Sequence, residues 1–140
     1  MERVPTEVVT EIRHGIMRVS RRMRTARAPE ALSSNKLTVL GHLHRNGPST
    51  AGEVAGAEGQ RPQSLTRVFA ELEAEGLISR ARADRDRRQI VLALTEQGVD
   101  ALRRDVAERD AWLAGALAGL SETELDLLRV AARLMERLGE

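Results

Sequence analysis

Cysteine and tyrosine are absent from this chain, and phenylalanine and tryptophan occur once each, as Phe69 and Trp112. Without cysteine there can be no disulfide, no thiol switch and no thiolate metal site. Two aromatic rings cannot make a platform on which unpaired bases stack, which argues against single-strand binding. No apolar run approaches the ~18 residues of a membrane span, and no N-terminal stretch has the character of a signal peptide. Lysine is nearly missing as well: of 22 basic residues only Lys36 is not arginine. There is no cysteine- or histidine-based nucleophile set, no glycine-rich phosphate loop and no metal-ligand spacing, so no enzymatic activity is expected. His42 and His44 are two residues apart and would diverge on a helix, so with His14 they suit packing or surface roles better than a metal site. The expectation is a soluble, cytoplasmic protein with no metal, no cofactor and no membrane partner.

What the chain does contain is leucine, alanine, valine and charge. At 140 residues it has the length of one domain, or of one domain with dimerising extensions, and its strong helix formers point to a mainly α protein. The net charge of +1 says little, but its distribution says more: arginine gathers at 13–27 and 80–88, and acid at 122–126.

The stretch from Arg61 to Thr95 organises the rest. Pro62 suits the first position of a helix, where its missing N–H is no loss. Leu65, Val68, Phe69 and Leu72 follow at i, i+3, i+4 and i+7, one apolar face of a helix over 62–75. Gly76 stands where a left-handed cap is wanted. Leu77-Ile78 then heads a short strand, Asp84-Arg85-Asp86-Arg87-Arg88 makes a charged tip, and Ile90, Leu92 and Leu94 return with period two as a half-buried strand. Upstream, Ser33 or Ser34 can cap a helix carrying Leu37, Leu40 and Leu43 inward, which stops at Asn46-Gly47-Pro48. Thr50 and Glu53 form a capping box that opens a short helix closed by Gly59. Two short helices across a glycine-containing turn, followed by a basic hairpin, predict a winged helix-turn-helix over residues 33–94.

Residues 1–32 and 95–140 read as dimerisation helices. The first carries Val8 or Val9, Ile12, Ile16, Val19, Met23 and Ala26, with Arg13, Arg18, Arg21, Arg22, Arg24 and Arg27 over much of the remainder. Those arginines read either as a basic flank near DNA phosphates or as a solvated face. Gly15 within it allows close helix approach or bending. Thr95 caps a helix with Val99, Leu102, Val106, Leu113, Leu117 and Leu120 inward and Trp112 beside the seam. Ser121 and Glu124 make a second capping box, and Leu125, Leu128, Ala131 or Ala132, Met135 and Leu138 share a face of the last helix. Such long apolar stripes need another surface to cover them, and a homodimer is the economical answer.

Taken together, Leu65-Thr66-Arg67, Leu72-Glu73, Gly76-Leu77, Asp86-Arg87-Arg88 and Leu94-Thr95-Glu96-Gln97-Gly98 make a pattern that resembles the MarR family of bacterial winged-helix regulators, from about residue 8 to residue 138. The resemblance implies a homodimer with intertwined terminal helices, bound to a pseudo-palindromic double-stranded operator as a transcriptional regulator, most often a repressor. In many members a small phenolic or aromatic effector binds between the dimer region and the winged helix and releases the DNA. By position, Gln63, Ser64 and Arg67 match the DNA-contacting turns of the recognition helix. Asp86 and Arg88 match a wing pair in which the carboxylate orients the hairpin and the arginine enters the minor groove. Two departures stand out: Arg61 precedes Pro62 where many members have a Ser or Thr cap, and the cysteine of peroxide-sensing relatives is missing.

The residue chemistry agrees with such a role. A guanidinium can bond guanine O6 and N7, and a glutamine amide can do the same for adenine. Gln63 and Arg67 lie one turn apart on one face. The candidate DNA-contacting set is Thr50, Arg61, Gln63, Ser64, Arg67, Arg85, Asp86, Arg87 and Arg88. Competing readings remain for parts of it: Arg67 can pair with Glu71 at i+4, the wing can neutralise itself, and Thr50 can be a cap alone. The alternative for the whole chain is a winged-helix dimer that binds protein or senses a ligand without touching DNA.

Overall fold

The computed structural model describes residues 3–83 and 88–139. Its elements in chain order are α1 (Thr6–Thr25), α2 (Ser34–Asn46), β1 (Ser49–Thr50), α3 (Ala51–Ala57), α4 (Pro62–Ala74), β2 (Ile78–Arg82), β3 (Ile90–Leu94), α5 (Glu96–Leu117) and α6 (Glu122–Leu138). The fold is mainly helical with one small sheet. The chain divides into two compact units, residues 28–107 and residues 1–27 with 108–140. The division falls inside α5 rather than at residue 95, because the start of α5 packs with the winged helix.

Residues 28–107 hold the core. Ser33 caps α2, its hydroxyl accepting from the Lys36 N–H at 3.3 Å. Leu40 and Leu43 are buried as expected, whereas Leu37 is half-buried and Val39 and His42 are inside as well. Thr50 and Glu53 form the expected reciprocal capping box on α3. Leu65, Phe69 and Leu72 of α4 are buried against Val39, Leu40, Val54 and Leu92 in one continuous apolar cluster. Both short helices end in the same way. Gly59 and Gly76 adopt φ of 64° and 74°, and paired bonds such as Leu77 N–H to the Leu72 carbonyl at 2.9 Å and Gly76 N–H to the Glu73 carbonyl at 3.0 Å close each Schellman motif. A side chain at either glycine would be strained in that region of φ.

The sheet has the order β1-β3-β2, antiparallel throughout, with Ser49 opposite Leu92 and Ile78 opposite Leu94. Strand β1 has only two residues and shows no alternation that sequence reasoning could use. It exists because β3 offers it an edge. Period two along β3 holds only in part: Leu92 is buried and Leu94 half-buried, but Ile90 is 46% exposed because it lies out along the hairpin, beyond the core.

One side chain fastens the base of that hairpin to the end of α4. The Thr95 hydroxyl donates to the Gly76 carbonyl at 2.7 Å and accepts from the Gly98 N–H at 3.0 Å, so it caps α5 as expected and also ties β3 to the turn after α4. The α5 face turned to the core is made of Gly98 and Ala101, with Leu102 packed beside them, instead of the predicted Val99, Leu102 and Val106 stripe. Val106 is 45% exposed. The reason is space: a Cβ on Gly98 would run into the Leu77 carbonyl oxygen and the Leu94 side chain.

In the other unit, α1 and α6 bury no residue. Ser121 and Glu124 cap α6 with the predicted box. The Ser121 backbone N–H, with its hydroxyl, holds the Glu124 carboxyl below its ordinary range. Ile12, Ile16, Val19 and Met23 of α1, Trp112, Leu113 and Leu117 of α5, and Leu125, Leu128 and Met135 of α6 line an open apolar groove of about 1160 Å³. Gly15 also borders it, yet a Cβ there would meet nothing within 4 Å, so no neighbour exploits its missing side chain.

Gly98→Ala is expected to destabilise the protein by about 1–3 kcal/mol through overpacking against backbone. Thermal unfolding checks this, and an unchanged midpoint would mean that the start of α5 yields freely.

Candidate nucleic-acid interface

A helix that sinks one stripe into a core must present the opposite one. On α4 the sunk residues are Leu65, Phe69 and Leu72, and Gln63, Ser64 and Arg67 are exposed. Arg61 occupies the N-cap position with extended backbone and no side-chain capping bond, and its carbonyl accepts from the Ser64 N–H at 3.0 Å. The helix therefore begins without a side-chain cap: Pro62 has no N–H and the Ser64 N–H is taken by the Arg61 carbonyl, which leaves the Gln63 N–H at the end where anions are favoured.

Arg67 is 90% exposed at its side chain, and its Nε donates to Glu71 Oε1 at 2.9 Å. The i+4 pairing weighed from the sequence is thus the arrangement adopted here. A pair this exposed contributes at most a few tenths of a kcal/mol in a helix. A phosphate or base edge can therefore take the guanidinium over at little cost. The Glu71 carboxyl is held below its ordinary range, first by the hydrogen bond from Arg67 and then by the charge of Lys36.

Lys36, to which the sequence pattern assigns no role, joins α2 to α4. Its ammonium hydrogen-bonds Glu75 and lies 3.5 Å from Glu71, and the Glu75 bond is the main cause raising its pKa. One signal was available: Glu71 and Glu75 are spaced i, i+4 on the side of α4 away from Phe69. Which cation would answer them is decided only by the crossing of the two helices. The turn between α3 and α4 is bordered by a second polar group, in which Glu58 Oε1 lies 3.6 Å from Arg45 Nη2 and 3.9 Å from the buried His42 Nδ1. Asn46 Nδ2 sits 3.3 Å from the same nitrogen. His42 is thus a packed histidine inside unit 28–107, and His14 and His44 are exposed.

The wing is an antiparallel hairpin whose last described rungs are Arg82 opposite Ile90 and the Ala83 N–H to the Gln89 carbonyl at 3.0 Å. Arg85, Asp86 and Arg87 lie outside the described residues, while Arg88 is described and exposed. Two further arginines on β2 were not singled out from the sequence. Arg80 pairs with Glu73 of α4, which adds a second link between hairpin and helix, and Arg82 is exposed near the outer end. Their period-two spacing after Ile78 was legible, but it indicated neither the Glu73 partner of Arg80 nor the exposure of Arg82.

Thr50 is half-buried and its hydroxyl accepts from the Glu53 N–H at 3.1 Å. Its capping role is thus filled within the protein.

The structure brings together, in unit 28–107, an exposed polar helix face and a hairpin fixed to the end of that helix by Thr95 and by Arg80–Glu73. No group of three or more potential metal ligands occurs among the described residues, and no helix among them is long and apolar enough to cross a membrane.

Comparison with known proteins agrees with this geometry. A family model for the MarR family matches residues 32–89. An HTH-type transcriptional regulator of Mycobacterium bovis is 35% identical over 128 residues, 91% of this chain and 90% of its own. The HTH-type transcriptional repressor MdtR of Bacillus subtilis is 31% identical over 108 residues, 76% of this chain and 70% of its own. Among solved structures, a transcriptional regulator from Pseudomonas aeruginosa superposes with a TM-score of 0.83 at 31% identity, covering 96% of this chain and 94% of that one. With the winged helix, the tethered hairpin and these relatives in view, the chain belongs to the MarR family of winged helix-turn-helix DNA-binding transcriptional regulators.

Proposed function

We propose that this chain acts as a homodimer that binds a pseudo-palindromic double-stranded operator and represses transcription. The observation that carries the reading is the exposed face of α4, with Gln63, Ser64 and Arg67 opposite a fully buried stripe. Gln63 and Ser64 meet base edges or adjacent phosphates, and Arg67 exchanges Glu71 for a phosphate or guanine. Arg61 and Thr50 stand at the starts of α4 and α3 and present those helix ends to the phosphodiester backbone. The wing residues Arg85, Asp86, Arg87 and Arg88 serve the minor groove, the acid orienting the turn and arginine favouring its negative potential.

Pairing of two chains is supported by the apolar groove of unit 1–27 with 108–140. Val8, Val9, Ile12, Ile16 and Val19 of α1 and Leu127, Leu128, Leu134, Met135 and Leu138 of α6 are each more than 40% exposed. A second copy, related by a two-fold axis, offers the same surface in return. Release by a small phenolic or aromatic effector is carried by family membership alone.

The test is footprinting on the intergenic DNA beside the gene for this protein, with affinity measured across a salt series. Two protected half-sites about one turn, roughly 10 bp, apart and a steep loss of affinity with salt are expected. A lone protected half-site would oppose the paired reading, and the absence of salt-sensitive DNA binding would favour a protein-binding role. Arg88→Ala is expected to weaken binding by about 1–3 kcal/mol while the oligomeric state stays the same. Gel-shift titration with size-exclusion chromatography checks it, and loss of the dimer instead would show that Arg88 has an architectural role.

A further inference from the structure

Between Glu11 and Glu30 the chain has six arginines and no acidic residue. Arg18, Arg21, Arg22 and Arg24 fall in the second half of α1 and all four are exposed. Elsewhere five arginines are matched to a carboxylate, in Arg45–Glu58, Arg67–Glu71, Arg80–Glu73, Arg103–Asp100 and Arg129–Asp126. None of these four α1 arginines takes part in an ion pair among the described residues. Arg18, Arg21 and Arg22 stand at i, i+3 and i+4, where like charges repel. The helix dipole favours cations in the last turn, which accounts for Arg22 and Arg24 but not for Arg18 or Arg21.

A cluster that repels itself and lacks internal partners is complementary to an external polyanion. Two are physically available, an anionic membrane and the sugar-phosphate backbone. A helix that adsorbs to a membrane inserts its apolar face. Here Ile12, Ile16, Val19 and Met23 border the groove shared with α5 and α6, and the arginines share the side away from them. A duplex asks only for charge. The polypeptide also joins this helix directly to the unit that holds the winged helix. Arg24 is four residues from Ala28, where the other unit begins, so their Cα atoms lie no more than about 14 Å apart whatever the arrangement.

We propose that Arg18, Arg21, Arg22 and Arg24 form a second, sequence-independent phosphate-binding surface, which lengthens the bound duplex beyond the segment met by α4 and the wing. The proposal rests on the DNA-binding reading above.

The test uses the full-length protein and a binding site selected by it from a random-sequence duplex library. The site is prepared twice, once trimmed to the protected core and once with roughly one extra helical turn, ~10 bp, at each end. Affinity is then measured against salt. For wild type the flanked duplex should bind more tightly and show the steeper slope. R18Q/R21Q/R22Q should lower affinity for the flanked duplex on the order of tenfold and flatten its slope by about 0.9 for each phosphate no longer neutralised, with the trimmed duplex unaffected. R18K/R21K/R22K, which keeps the charge, should retain the wild-type slope and guards against a mere folding defect. Equal slopes for wild type on both duplexes would overturn the proposal while leaving the operator reading intact. So would equal weakening of both duplexes in the glutamine variant. Failure of wild type to select any duplex would remove the DNA-binding reading itself. Binding of wild type, but not of the glutamine variant, to vesicles of equal parts phosphatidylcholine and phosphatidylserine, with no effect of flank length on DNA binding, would assign the cluster to lipid.

Discussion

Helices α1 and α6 carry apolar side chains along their lengths, yet neither buries a single residue. At roughly 25 cal/mol for each Å² of apolar surface left in water, a groove lined by Ile12, Ile16, Val19, Leu125, Leu128 and Met135 represents a large unsatisfied driving force. Sequences do not maintain such faces over about five turns of helix unless something covers them. The need for a covering surface is the ground for the proposed pairing of two chains. A two-fold pair would also double every DNA-contacting group, so that a modest contribution per recognition helix becomes selective at two half-sites.

The winged helix answers a different constraint. Residues 28–107 form a core of their own, with Val39, Leu40, Val54, Leu65 and Leu72 fully buried. Because α4 is sunk along Leu65, Phe69 and Leu72, its rotation about its own axis is fixed, and the exposed face cannot drift. Thr95 then fixes the hairpin base to the carbonyl of Gly76, at the end of the same helix. Helix and hairpin base are therefore linked directly within this unit. Their spacing follows from the Thr95 hydroxyl and backbone hydrogen bonds at the hairpin base, with the Arg80–Glu73 pair as a second link. Lys36 adds an electrostatic strut on the opposite flank of α4 through Glu71 and Glu75. Arg67 shares Glu71 with that strut, which places the guanidinium beside the helix.

Most of this architecture was legible in the chain because its signals are local. Capping boxes at Thr50–Glu53 and Ser121–Glu124, the proline at the start of α4 and the glycines at 59 and 76 all act within one turn of helix, and each appears where its spacing indicates. The stripe of α4 was equally clear, since large residues at i, i+3, i+4 and i+7 have only one way to be buried together. What was not legible depends on tertiary space. Small residues, Gly98 and Ala101, form the inward face of α5, where the Leu77 carbonyl leaves no room for a side chain at 98, and hydrophobicity patterns weight Val99, Leu102 and Val106 instead. Strand β1 is created by its neighbour, and Ile90 follows the strand period but lies past the edge of the core. The link from Lys36 to Glu75 spans 39 positions in sequence, which no local rule anticipates.

Sedimentation equilibrium of the purified full-length protein, in the absence of DNA and over a range of concentrations at moderate salt, measures directly whether the apolar faces of α1, α5 and α6 are covered by a second chain. The account predicts the mass of two chains down to the lowest concentrations accessible. A single chain at every concentration, with no association as the sample is concentrated, would contradict it.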